Sequence, residues 1–490
     1  MDIDEAWKST CRVLLKEEIG EMGAFDFYLK KYVGPIQTQR RSELSGRPVT
    51  TADDDFGYPV RCISNAEWAE YQKLYSGNFS INQIKDLDSL ISALSERFVY
   101  SGDICLGKYE KVERSNRISN SQYVQDSQDV SDSQYAAHCA MLRSSRYVFG
   151  SDCTGEIEYV IKNFQGWKSA RMLETTNTQY CSDVYFSANV RDCADCMFCF
   201  NQSGKRSMIG NLELPKERYF ELKKKLLAEI ADELRRKKDI LSIAELLGGP
   251  ARAGQPEQRP ALWGTDSSAL EFGRPADYPA GLDEAFASTC RVLLGRPLAG
   301  AMTDYEGWLV RHVRAAPRTK SAASSQTLRV LPILFNEPLR PTHLSQQEAA
   351  EAGKRKISQE EAGRLGLENA MEILKPIACY SCDVALGQNT QVAETVSYSD
   401  ASRVFASSTM YDSKDCAYDC WVSHQAERMF GCDHTFYSQS CIHAYRSLRL
   451  MRCFEVSDSL DCADCLFCHN VEGCVECMFC FNVKAKRYAI

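Results

Sequence analysis

The chain has 490 residues, a formal charge of −8 at pH 7 and 23 cysteines. Its mild acidity argues against nucleic acid as the main partner, because surfaces that bind phosphate are usually basic. The N-terminal residues lack the basic and apolar regions of a signal peptide, and no apolar run is long enough for a membrane span. We therefore expect a cytoplasmic protein whose cysteines are thiols or metal ligands.

The strongest feature of the sequence is a tandem duplication. The segment DEAWKSTCRVLL at residues 4–15 returns as DEAFASTCRVLL at residues 283–294, and CADCMFCFN from Cys193 returns as CVECMFCFN from Cys474. A displacement of about 280 residues that holds along both units identifies two copies in the same order.

Each copy is predicted to be a helical head followed by a β-rich body. In copy 2, Ser345 with Glu348 and Ser358 with Glu361 have the spacing of capping boxes, which predicts helix starts. The predicted boundaries are residues 1–114 for the head of copy 1, 115–213 for its body, 214–248 for an amphipathic capping helix, 249–282 for a linker, 283–394 for the head of copy 2 and 395–490 for its body.

The bodies are predicted to be right-handed β-helices, or β-solenoids, so that the fold class is α+β. Both contain short runs of Val, Tyr, Phe and Cys separated by Ser, Asn and Asp, and neither contains proline. Copy 2 also has a finer repeat, because Cys441, Cys453, Cys465 and Cys477 are evenly spaced. Their spacing of 12 residues is typical of stacked coils and leaves open whether one coil has 12 or about 24 residues.

The last residue, Ile490, corresponds to Ile209 of copy 1, so copy 2 has no counterpart of the capping helix. An uncovered sheet edge invites pairing with another chain. We therefore expect either a truncated chain or another element that covers this end.

The cysteines of copy 2 support two interpretations. C-x-x-C pairs have the spacing of zinc or iron–sulfur ligands. The favoured alternative is that the thiols pack inside the body as small hydrophobic groups, because copy 1 has Val184 and Ser187 at two of these positions. The candidate metal ligands are Cys462, Cys465, Cys468, Cys474, Cys477, Cys480 and His469.

Histidine and arginine provide the remaining candidates. His424, His434, His443 and His469 lie among the cysteines of copy 2, which leaves a Cys/His enzyme as an alternative, although no catalytic residue can be assigned. Arg171 and Glu174 of copy 1 recur as Arg452 and Glu455, which predicts either an internal ion pair or a contact surface. The candidate partner-binding residues are Arg452, Glu455, Lys486 and Arg487.

Four short motifs in copy 2 resemble a known fold: Cys432-Asp433, Ser440-Cys441, Arg452-Cys453 and Asp461-Cys462-Ala463-Asp464-Cys465. Through them the bodies resemble the right-handed β-helix domains of cyclase-associated protein and tubulin cofactor C. The whole unit resembles uncharacterised microbial cysteine-rich β-solenoid proteins, through DFYLKKYV at residues 26–33 and CMFCFN with KRYAI at residues 477–490. The β-helix resemblance implies protein binding or assembly.

The predicted function is therefore that of a non-enzymatic scaffold or assembly protein, with a protein partner or a second copy of itself bound to its β surfaces. A zinc- or iron–sulfur-binding protein is the first alternative, and a Cys/His enzyme is the second.

Overall fold

The computed structural model describes residues 1–34, 37–52, 61–74, 85–95, 97–250, 273–314 and 316–490. It is a mixed α/β structure with two largely parallel, strand-rich bodies, each preceded by helices. We call the bodies stack 1 (residues 105–213) and stack 2 (residues 384–490), and the segments before them head 1 and head 2. Most of the predicted linker, residues 251–272, lies outside the described residues.

Head 1 is held together by its first helix, which buries Trp7, Cys11 and Leu14. Asp2 caps this helix by accepting a hydrogen bond from the Glu5 backbone N–H. The elements of head 1 are α1 (Ile3–Leu15), α2 (Asp26–Lys30), β1 (Gln37–Arg41), β2 (Pro48–Ala52), β3 (Cys62–Ser64), α3 (Trp68–Leu74), α4 (Leu87–Ser95) and β4 (Tyr100–Gly102).

Stack 1 follows directly from head 1. Its strands are β5 (Cys105–Leu106), β6 (Glu110–Glu113), β7 (Asn116–Ser119), β8 (Gln122–Gln125), β9 (Gln128–Ser131), β10 (Gln134–Ala137), β11 (Ala140–Arg143), β12 (Arg146–Phe149), β13 (Asp152–Gly155), β14 (Glu158–Trp167), β15 (Ala170–Gln179), β16 (Ser182–Arg191), β17 (Ala194–Met197), β18 (Phe200–Ser203), β19 (Arg206–Ile209) and β20 (Leu212–Glu213).

Two helices follow stack 1 where the sequence predicted a single one. Helix α5 (Lys216–Lys237) ends because Lys238 adopts a left-handed conformation with φ 57°, and Ser242 then caps the short helix α6 (Ile243–Leu246). Neither glycine nor proline stands at residue 238 to announce the break.

Head 2 contains α7 (Leu282–Leu294), α8 (Glu306–Leu309), β21 (Arg318–Lys320), β22 (Thr327–Arg329), α9 (Gln346–Ala352), α10 (Gln359–Arg364) and α11 (Ala370–Leu374). Both predicted capping boxes are confirmed, since the Ser345 and Ser358 hydroxyls accept hydrogen bonds from the backbone of Glu348 and Glu361. Stack 2 contains β23 (Val384–Leu386), β24 (Thr390–Ala393), β25 (Ser397–Phe405), β26 (Ser408–Ala417), β27 (Cys420–Phe430), β28 (Asp433–Phe436), β29 (Gln439–Met451), β30 (Phe454–Ser457), β31 (Leu460–Ala463), β32 (Leu466–Glu472) and β33 (Phe481–Lys484).

The parallel register shows that one layer of each stack takes 12 residues. In stack 1, Glu158 pairs with Ala170, and Ala170 pairs with Ser182. Stack 2 keeps the same step, apart from one register shift between Tyr411 and Ser413 where β26 meets β27. The cysteine repeat of 12 residues in the sequence is therefore one full layer.

Sharp corners make such short layers possible. Successive corners at Tyr123, Asp126 and Asp129 have φ values of 55°, 48° and 52°, and left-handed residues continue at nearly every third position of both stacks. The residue after each corner points into the stack, where Val124 and Val130 are buried in a core shared only with other residues of stack 1. A layer therefore has four inward side chains.

Inward serines satisfy backbone groups that the narrow core would otherwise leave without partners. The hydroxyl of Ser127 donates to the carbonyl of Gln125 and accepts from the backbone N–H of Cys139 in the next layer, at 2.7 and 3.1 Å. Outside the core, stacked tyrosines and arginine–aspartate pairs repeat at the same step, for example Tyr135 on Tyr147 and Arg171 with Asp183.

The two copies pack against each other reciprocally. The Asn201 amide of stack 1 donates to the Cys379 carbonyl before stack 2, at 2.7 Å, and the Asn482 amide of stack 2 donates to the Val99 carbonyl before stack 1, at 3.1 Å. The end of each stack thus holds the segment that leads into the other stack.

Candidate functional site

The cysteines that the sequence placed in a candidate metal site form part of the core of stack 2. Their thiols point inward and donate to backbone carbonyls: Cys462 Sγ lies 3.2 Å from the Leu460 carbonyl oxygen and 3.5 Å from that of Val471. The same pattern recurs in the next layer at Cys474. All 23 cysteines are free thiols, and only Cys379 is not fully buried.

The sulfurs come closest to one another around Cys465. The thiols of Cys453, Cys462 and Cys468 can all hydrogen-bond to its sulfur, which lowers the pKa of Cys465, while the pKa values of Cys462 and Cys468 are raised. Across the described residues, no group of three or more His, Cys, Asp or Glu side chains has the arrangement of a metal site. Metal binding here stays a prediction, and elemental analysis of reduced, chelator-treated protein tests it.

The four histidines of stack 2 lie outside the cysteine core. His469, a predicted metal ligand, hydrogen-bonds to the Ser457 hydroxyl and accepts from the Ser101 backbone N–H, and burial lowers its pKa to about 4. His443 lies 2.7 Å from Glu455, and its ring packs against Trp308 of head 2. In the part of the chain described, the hydrogen bonds of these side chains give no Cys–His pair that could act as a nucleophile.

The predicted contact between Arg452 and Glu455 is replaced by two separate pairs. Arg452 makes a bidentate ion pair with Asp464 in the next layer, with both distances 2.6 Å, and Glu455 accepts from His443. Arg171 of stack 1 likewise pairs with Asp183. The pattern Arg-x11-Asp was present in the sequence and would have revealed these pairs once the layer length was known.

Lys486 and Arg487 lie at the exposed end of stack 2, and the corresponding end of stack 1 is covered. Strand β20 pairs antiparallel with β19, and helix α5 packs beside it, so that Ile209 is 0% exposed. The counterpart of Ile209, Ile490, is 73% exposed, and the neighbouring Tyr488 is 79% exposed. This end is the largest difference between the two stacks.

A second feature that the sequence did not predict is a cavity of about 60 Å³ between the two stacks. Its walls combine apolar residues of stack 1, such as Ile104 and Leu142, with Phe436 and Leu448 of stack 2. Arg117, Asp129, Arg143, Arg446 and Asp458 also line it. These residues are remote in sequence, so only the packing of one copy on the other brings them together.

No protein-family model, curated protein or solved structure matches the chain. The predicted resemblance to known β-helix proteins is therefore supported only as far as two cysteine-rich bodies of stacked parallel strands. Among the described helices, none is long and apolar enough to cross a membrane.

Proposed function

We propose that the protein is a non-enzymatic, cytoplasmic scaffold that binds a strand-and-helix segment of a protein partner at the exposed end of stack 2. The observation that carries this proposal is the contrast between buried Ile209 and exposed Ile490 at equivalent places. Free thiols throughout the chain support a reducing compartment. We also propose that each stack is a right-handed β-helix with 12 residues per coil, in keeping with the parallel register.

Copy 1 indicates the chemistry of the expected partner. Its own end is covered by a short antiparallel strand, β20, followed by the amphipathic helix α5. Lys205 forms an ion pair of 2.7 Å with Glu213 of that strand. Because Lys205 corresponds to Lys486, we expect the partner strand to present a carboxylate to Lys486.

Charge also favours a different protein over a second copy docked end to end. Lys486 and Arg487 are both exposed at the end of stack 2. Two such ends facing each other would bring like charges together, which costs free energy. An acidic strand-and-helix segment would neutralise them.

A labelled peptide with the sequence of residues 210–247 provides a direct probe, since it carries the strand and both helices that cover stack 1. We expect it to bind the full-length protein in a fluorescence anisotropy titration, with Lys486→Glu and Ile490→Asp each weakening the affinity at least tenfold, which is about 1.4 kcal/mol. Tyr180→Ser is the matched control, because Tyr180 is exposed on the side of stack 1.

The absence of binding up to roughly 1 mM peptide, the weakest affinity of interest, would contradict docking at this end. Equal binding by the Ile490→Asp variant would also contradict it. In a lysate of the source cells, the tagged wild-type protein should elute as a complex larger than the 55.2 kDa chain. The Ile490→Asp variant should elute at the size of the free chain.

A further inference from the structure

The two halves of the interface between the stacks are equivalent by the duplication but are filled differently. In one half, the Trp167 ring stacks on Tyr411 with centroids 6.3 Å apart and also contacts His424. In the other half, the counterparts are Leu448 and Ser131, once the one-residue register shift of stack 2 is taken into account. Loss of two large rings leaves the cavity of about 60 Å³.

Charged residues replace neutral ones in the half that contains the cavity. Arg446 and Asp458 correspond to Gln165 and Asn177, whose amides donate to backbone carbonyls in the filled half. On the opposite wall, Arg117 and Asp129 stand where stack 2 has Ser397 and Thr409. The open half of the interface is therefore also the charged half.

Arg143 is the group whose charge is least compensated. It is 4% exposed, lies against the rings of Phe436 and Tyr437, and contacts the imidazole of His424 at 3.2 Å. Burial lowers the pKa of His424 to about 3, so this neighbour is neutral. Among the described residues, no carboxylate forms an ion pair with Arg143. A buried guanidinium without a counter-ion is costly.

The other charges of the wall largely balance. Arg117 lies 3.4 Å from Asp129 and 3.1 Å from Asp458, and all three side chains are almost fully buried. Three arginines and two aspartates line the cavity in total, which leaves one excess positive charge. The wall thus suits a ligand with a single negative charge.

We propose that this cavity binds a short-chain monocarboxylate, with its carboxylate on Arg143 and its alkyl group against Leu142, Phe436 and Leu448. Arginine presents several N–H donors in the planar geometry that matches a carboxylate. An apolar cavity of about 150 Å³ holds benzene, so the smaller volume here suits a ligand of about four non-hydrogen atoms, such as acetate. The apolar walls favour a methyl group over the additional oxygens of phosphate.

Isothermal titration of the full-length protein with sodium acetate tests this proposal, at constant ionic strength maintained with sodium chloride. We expect saturable binding by the wild type. Arg143→Gln should weaken it at least tenfold, whereas Arg146→Gln, the same change on the exposed face, should leave it unchanged. Leu448→Trp should abolish binding by filling the cavity as Trp167 fills the equivalent space, without lowering the thermal midpoint.

Ser131→Tyr restores the other missing ring and serves as a second filling variant if Leu448→Trp does not fold. The proposal is overturned if the wild type shows no saturable binding of acetate, or if both folded filling variants bind it with unchanged affinity. Binding of phosphate but not acetate, in a parallel titration, would also overturn it, because the occupant would then be an inorganic oxyanion.

Discussion

At the scale of single residues, cysteine and serine have interchangeable roles in the core of the stacks. Ser127 accepts from the backbone N–H of Cys139 in the next layer, and Cys432 Sγ accepts in the same way from Ala444, at 3.4 Å. Both side chains are small enough for a core with four inward groups per layer. The chemistry of the core therefore explains why one copy has cysteine where the other has serine, as at Cys432 and Ser151.

Thiol labelling of the native protein should detect one fast site, Cys379. Its side chain is partly exposed, whereas the other 22 cysteines are buried and react only when the stack opens. With an aromatic disulfide reagent we expect about one rapid equivalent per chain, which Cys379→Ser removes, and reaction of the remaining thiols only in denaturant. A second rapid equivalent that persists in Cys379→Ser would instead support an activated thiol in the cluster around Cys465.

At the scale of elements, the 12-residue repeat was visible in the sequence, but the three-residue repeat inside it was not recognised. Ser121, Val124, Ser127 and Val130 point inward in succession, each preceded by a left-handed corner. Alternation in strands has a period of two and helices have a period of 3.6, so a period of three matches neither usual pattern. The layer length therefore remained undecided until the register was seen.

The contact between head 1 and stack 1 depends on one glycine. Gly150 has φ 65°, and a Cβ there would lie 2.8 Å from the Leu29 backbone carbonyl oxygen. Gly204 has φ 66° and open space around the same position, so it provides a matched control. Gly204→Ala should cost about 1 kcal/mol for the left-handed conformation. Gly150→Ala should cost about 1–3 kcal/mol more, because head 1 must move away.

Guanidinium unfolding of the two glycine variants measures this difference. Equal midpoints with equal slopes would show that head 1 adapts freely to an added methyl group, contrary to this expectation. The counterpart of Gly150 in stack 2, Gly431, has φ 65° and lies close to the Leu309 carbonyl oxygen, so the same requirement applies to head 2.

At the scale of the whole molecule, the duplication could be predicted from sequence, but the reciprocal packing of the copies could not. The predicted metal and partner-binding residues also proved to be widely separated: the thiols are inside stack 2, His469 faces head 1, and Lys486 is at the exposed end. Local patterns show which residues repeat. They contain no information on which outer face of a repeat meets the other copy.

The reciprocal asparagines should act as two independent latches between the copies. Asn482 donates to the Val99 carbonyl and accepts from the Ser101 hydroxyl, while Asn201 donates to the Cys379 carbonyl. Replacing either by alanine leaves buried polar groups without partners, so we expect each variant to lose about 1–3 kcal/mol of unfolding free energy. Because the two sites are far apart in the structure, the losses should add in the double variant.

Hydrogen exchange distinguishes such latches from general stabilisation. Asn482→Ala should increase exchange around residues 99–102 and leave residues 379–382 protected, and Asn201→Ala should do the reverse. Each variant therefore serves as the control for the other. Increased exchange in both segments for either variant would mean that the copies separate as one cooperative unit, and the two contacts would then not be independent.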